Sequence, residues 1–152
     1  MKIRAFSYAL GGLALAATLA ACSGFNTSVP RPPAPTTCVV PAGVQTQLIY
    51  PVPGATSVPD NPQQIVFATS AALPSWDAVL TGANQAYYGN AFVQISAGQV
   101  PSPSATPSFA NPIYESSTLA SGLTANTVMS VYLNDLSSSC IPVSTNASFT
   151  TL

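Results

Sequence analysis

From Val39 onward the apolar positions come in short runs at roughly ten-residue spacing, each closed by Pro, Gly or Asn, which is the rhythm of strands and turns. Gln45–Tyr50 is a first strand candidate, ended by Pro51-Val52-Pro53-Gly54. Gln64–Thr69 (QIVFAT) is a second, with Ile65 and Phe67 on one face. A short third, Ala78–Leu80, follows Trp76, and Tyr87–Ser96 forms a longer apolar segment holding Phe92, Val93 and Ile95. Gly98–Pro112 is Pro/Ser-rich and carries a weak strand signal. Ile113–Ala120 and Thr127–Leu136 come next; the latter puts Met129, Val131 and Leu133 on one face and Tyr132 on the other. Ile141–Val143 and Ala147–Thr151 close the chain. No window sustains a helical period over three turns, and prolines recur too often for long helices. The pattern predicts an all-β fold: a single antiparallel immunoglobulin-like β-sandwich of about seven strands.

The first residues follow a different rule. Met1-Lys2-Ile3-Arg4 is a short basic segment, and Ala5 to Ala21 is uncharged and rich in Leu and Ala. About 17 apolar residues is the lower limit for spanning a bilayer, and Gly11-Gly12 weakens them as a helix, so a processed export signal is the better reading. Leu19-Ala20-Ala21-Cys22 resembles the bacterial lipobox, Leu-(Ala/Ser)-(Gly/Ala)-Cys. That resemblance implies cleavage before Cys22 and diacylation of its thiol with palmitate-type chains. Two or three chains, at ~0.8 kcal/mol per buried methylene, give a stable membrane anchor. Ser23 after the cysteine resembles the sorting choice for the outer membrane of the bacterial cell envelope. A conventional cut that leaves Cys22 as a free thiol is the alternative.

Next comes NTSVPRPPAPTT, Asn26 to Thr37, whose four prolines favour an extended spacer. The organisation expected is a lipoprotein signal peptide at 1–21, a lipidated Pro-rich tether at 22–37 and a β-sandwich domain at 38–152. Cys38 and Cys140 are the two remaining cysteines, and an isolated pair in an oxidising compartment reads as one disulfide.

A second resemblance rests on two stretches. Tyr50-Pro-x-Pro53-Gly54-Ala55-Thr56-x-Val58-Pro59, followed by Ile65-Val66-Phe67, is similar to the opening of bacterial Ig-like domains. Leu123-Thr124-Ala125-Asn126-Thr127-x-Met129-x-Val131-x-Leu133 and the closing Ala147-Ser148-Phe149-Thr150-Thr151 resemble the late strands of fibronectin type III and related modules. Met129 stands where those modules usually carry tyrosine, and Trp76 to Tyr114 aligns with nothing. The resemblance implies a fold and leaves activity open.

Charge narrows function by exclusion. Only 5% of residues are charged and histidine is absent. Beyond the leader, Arg31 alone faces Asp60, Asp77, Glu115 and Asp135, a net charge of about −3. Such a chain cannot neutralise a run of phosphates, so no nucleic-acid partner is expected. Without histidine or a lysine outside the leader, Ser-His-Asp triads, Cys-His pairs and Schiff-base lysines are excluded. Histidine metal sites and calcium loops are missing from the sequence too, and no cofactor is expected. Asp60 (in Pro-Asp-Asn-Pro) and Asp135 read as turn residues, and an Asp77–Glu115 catalytic pair lacks any supporting motif.

One cluster stands out: Trp76, Asn84, Gln85, Tyr87, Tyr88 and Asn90. Exposed aromatics beside amides stack on sugars and bond their hydroxyls, which makes Trp76, Tyr87 and Tyr88 candidate ligand-binding residues. The competing reading puts Trp76 in the sandwich core. The functions this predicts are a non-enzymatic, lipid-anchored module that meets an envelope protein or acts as a spacer and, as an alternative, a carbohydrate-binding module with a glycan partner.

Overall fold

The computed structural model describes residues 33–152, of which Ala34–Leu152 form one compact unit. The lipobox-like stretch ending in Cys22, the expected leader and most of the expected tether lie outside the described residues. Eight strands build two four-stranded antiparallel sheets that pack as a β-sandwich. They are β1 (Thr46–Tyr50), β2 (Gln64–Thr69), β3 (Trp76–Gly82), β4 (Gln85–Tyr88), β5 (Val93–Ile95), β6 (Ile113–Thr118), β7 (Val128–Asp135) and β8 (Val143–Thr150). The first sheet runs β1-β2-β6-β5 and the second β4-β3-β7-β8.

Alternation explains the core. Ile65 and Phe67 from the first sheet meet Trp76, Ala78, Leu80, Met129, Val131, Leu133 and Phe149 from the second, all buried. Phe67 and Phe92 pack with ring centroids 5.7 Å apart and planes tilted by 56°. Met129 is fully enclosed in this core.

The two sheets differ on their outer faces. Val66 and Ala68 point away from the core, yet both are fully buried. The excursion between β5 and β6, residues 96–112, lies against this sheet. Ala105 donates its N–H to the Ile49 carbonyl at 2.9 Å, and the Gln47 side chain bonds Thr106 (3.1 Å) and Ser108 (2.8 Å). A strand buried on both faces reads as an unbroken apolar run, which is why QIVFAT does not alternate. The segment with the weak strand signal is thus a covering layer.

Strand boundaries depart from expectation in two places. Tyr87–Ser96 is two strands, β4 and β5, and they belong to different sheets. The crossing runs through Gly89, whose N–H bonds the Ala78 carbonyl (2.9 Å), and Asn90, whose N–H bonds the Thr118 carbonyl (2.9 Å). A Cβ at Gly89 would overlap the Ser117 hydroxyl, so glycine is needed for the close approach. Conversely, Val143 and Ala147–Thr150, expected in two separate strands, lie in one strand, β8, which carries a bulge opposite Val131/Tyr132. Asn146 sits there at φ 57°, and the Thr145 hydroxyl bonds the Val131 carbonyl at 2.7 Å.

Cys38 and Cys140 form the disulfide, 102 residues apart in sequence with Cα atoms 5.0 Å apart. Beside it Cys38 N–H donates to the Ile141 carbonyl (2.8 Å) and Ile141 N–H to the Thr36 carbonyl (2.9 Å). The chain entering the domain is therefore pinned to the start of the last strand. Among the described residues no helix is long and apolar enough to cross a membrane.

Candidate functional site

The candidate aromatic residues do not share one surface. Register puts Leu80 opposite Tyr87 and Val79 opposite Tyr88. Leu80 is a core residue, so Tyr87 points to the interior side and Tyr88 to the outer side of the sheet. Trp76 is 5% exposed and belongs to the core. Tyr87 is half-buried: its hydroxyl lies 2.8 Å from Gln85 Oε1 and 2.6 Å from the Thr124 hydroxyl, and it accepts the Thr124 N–H at 3.1 Å. Tyr88 is 61% exposed.

Tyr88 has a partner that the aromatic cluster in the sequence did not include. Val79 faces Tyr88 on β4 and Tyr132 on β7, so the three side chains form a row across adjacent strands. With strands about 4.8 Å apart, the two tyrosines stand roughly 10 Å from each other with Val79 as the floor between them. Ile141 and Pro142 close one end of a shallow apolar groove of about 200 Å³. Around it the outer face carries Thr81, Ala86, Ser130, Ser144 and Ser148. The signal for Tyr132 lay in the alternation of β7, which sets it on the outer face with Val128, Ser130 and Asn134.

Asp77, on the same outer side of β3, is 2% exposed, and its Oδ1 finds no hydrogen-bond partner among the described residues. Burial pushes its carboxyl above the ordinary range, while Asn134 and the backbone pull the other way. Asn134 Oδ1 in turn lies 3.8 Å from Cys38 Sγ, a contact without a proton, since a disulfide sulfur has none to donate.

Glu115 faces inward from β6, opposite Phe67. Its two oxygens accept the Leu73 N–H (2.8 Å) and the Thr69 hydroxyl (3.1 Å), which ties a loop to the sheet. Asp77 and Glu115 therefore point to opposite sides of different sheets and do not converge as an acid/base pair. Asp135 ends β7, its carboxylate accepting from Ser137 N–H (2.9 Å), Ser137 hydroxyl (2.6 Å) and Ser138 hydroxyl (3.1 Å), as a strand-end turn residue does. No group of three or more His, Cys, Asp or Glu side chains that could hold a metal occurs among the described residues.

A second cleft, about 540 Å³, lies between the excursion and the Tyr50–Pro59 segment, lined mainly by Tyr50, Pro51, Val58, Pro59 and Pro103. It presents no titratable pair. No family model, curated protein or solved structure matches the chain.

Proposed function

We propose that this chain is a lipid-anchored, non-enzymatic immunoglobulin-like module of the bacterial cell envelope, acting through protein contact or as a spacer. The observation that carries the contact role is the unequal treatment of the two sheets. Among the described residues, one outer face is covered by residues 96–112; the other is open around Tyr88 and Tyr132, built there of Tyr, Ser, Thr and Ala, with its one acid, Asp77, buried. Tyrosine offers large contact area at little cost in rotamer entropy, and small hydroxyl residues adapt their hydrogen bonds, a combination typical of binding surfaces.

Strand order supports the immunoglobulin-like assignment. With β1 to β8 taken as A, B, C, C′, D, E, F and G, the sheets read A-B-E-D and C′-C-F-G. The Pro53–Val58 segment adds to it by running beside the last strand: Gly54 N–H bonds the Ser148 carbonyl and Val58 N–H the Thr150 carbonyl. This gives the P-x-P-G-A-T-x-V stretch a structural role.

The anchor rests on the lipobox at Leu19–Cys22 and on the export it implies, with the outer membrane as destination. Radiolabelled palmitate should enter the wild-type chain and not Cys22→Ser. Intact cells treated with protease then report whether the open face looks outward. Label retained on Cys22→Ser would overturn the anchor. A carbohydrate-binding alternative draws on Tyr88 and Tyr132 as a stacking pair; polysaccharide retention that is lost on Tyr88→Ala would favour it over protein contact.

A further inference from the structure

We infer that β4 is a strand-addition edge and that its partner is β4 of a second copy of this chain, an inference that rests on the protein-contact reading above. Sheet edges expose unpaired backbone groups, and folded proteins blunt them with cover, charge, proline or bulges. Three of the four edges here are dealt with. β1 is covered at Ile49 by Ala105, and β8 by Gly54 to Val58. β5 is three residues long and turns at once into the Ala97–Gln99 3-10 turn, locked by the Gln99 side chain on Ser96 N–H (2.9 Å) and hydroxyl (3.0 Å).

Among the described residues β4 has none of these devices. Gln85-Ala86-Tyr87-Tyr88 contains no charge and no proline, pairs with β3 in unbroken register and is largely exposed. Its open backbone groups follow from the hairpin. Ala83 and Asn84, at φ 49° and 62°, make a two-residue turn, so Gly82 and Gln85 form a hydrogen-bonded pair. Gly89 N–H bonds the Ala78 carbonyl at the far end, which keeps the alternation in phase. Leu80–Tyr87 is then hydrogen-bonded too, and the N–H and C=O of Ala86 and Tyr88 point away from the sheet.

Those two residues are self-complementary. A two-fold axis through Tyr87 sets Ala86 of one chain opposite Tyr88 of the other and the reverse, so each chain satisfies the other's open groups with four backbone hydrogen bonds. Side chains agree with the backbone, since the large exposed Tyr88 falls over the small exposed Ala86 on the same outer face. Charge selects the occupant as well. In this pairing Tyr87 meets its own copy and Ala86 meets Tyr88, so an edge without charge brings no like charges together. The product is one eight-stranded sheet across two molecules.

The test uses the full-length chain in bacterial membranes, with photoreactive p-benzoylphenylalanine in place of Tyr88. Irradiation should give an adduct of twice the chain mass whose cross-linked peptide joins position 88 to residues 84–88 of the second copy. Ala86→Pro, which removes one open N–H and leaves the β3 pairing intact, should lower the yield at least tenfold. Ala86→Trp keeps the N–H but fills the space of the partner's ring, and should do the same. Retention of the Cys38–Cys140 bond shows that each variant folds. A yield unchanged in both variants overturns the inference, as does an adduct solely with a different protein, which would leave the contact reading standing. No adduct from position 88 or from the same probe at position 132 overturns both.

Discussion

The hydroxyl of Ser117 occupies the space that a side chain at Gly89 would need. It accepts the Ala78 N–H at 3.3 Å and donates to the Asn90 carbonyl at 2.7 Å, bonding β3 where β4 departs for the other sheet. One serine therefore holds both sheets to the strand that crosses between them. Gly89→Ala should cost about 1–3 kcal/mol by overpacking. Ser117→Ala should cost about the same by orphaning a buried N–H. In the Ser117→Ala background Gly89→Ala should cost less than it does alone, because the clash partner is gone; additive effects in urea denaturation would contradict this contact.

Closing the chain between Cys38 and Cys140 restricts a loop of 102 residues in the unfolded state. By loop-closure entropy that is worth ~4–5 kcal/mol, a large part of the stability of a small domain. Cys38→Ser with Cys140→Ser should lower the urea midpoint strongly, and reductant should reproduce the loss in the wild type. A midpoint unchanged by reduction would show that the loop is held by other means.

Trp76 and Tyr88 were candidates for the same role, and the fold separates them. Trp76→Ala should destabilise by about 3–5 kcal/mol, as removal of a core aromatic does. Tyr88→Ala should stay within about 0.5 kcal/mol, as expected of an exposed position. Equal effects on thermal unfolding would place both rings in one environment.

Asp77 gives the domain an unusual response to acid. Its folded carboxyl holds a proton more tightly than the unfolded one, whose ordinary value is 3.8, because burial disfavours the charge. Folding then takes up protons, so stability rises as pH falls through the raised value and the gain is complete below 3.8. Asp135 acts in the opposite sense. Ser137 holds its carboxyl below 3.8, so its contribution is lost as pH drops past that value. The urea midpoint should climb from neutral pH toward about pH 4 and fall beyond it. Asp77→Asn should abolish the climb.

Much of this architecture was legible because one apolar run was unbroken and one period was clean. Gln64–Thr69 coincides with β2, and Thr127–Leu136 brackets β7 with its inward Met129, Val131 and Leu133. The cysteine pair was legible from its number, two beyond Cys22. What period could not encode was change of sheet: Tyr87–Ser96 reads as one apolar stretch, and Gly89 with Asn90 was the only mark of the crossing. Bulges mislead in the opposite direction, since Ser144-Thr145-Asn146 looks like a turn while remaining inside β8. The site suffered similarly. Proximity in sequence grouped Trp76 with Tyr87 and Tyr88, whereas register joins Tyr88 to Tyr132 across Val79.

With Asp77 and Glu115 enclosed, the side chains of the described domain show water only two carboxylates, Asp60 and Asp135, and no cation. Its electric field is accordingly faint. Nothing at long range would draw a partner in or turn it to the right orientation, so encounters should proceed at the unsteered rate of about 10⁵–10⁶ M⁻¹s⁻¹. The same rate should hold in dilute buffer and in brine, since there is little for salt to screen.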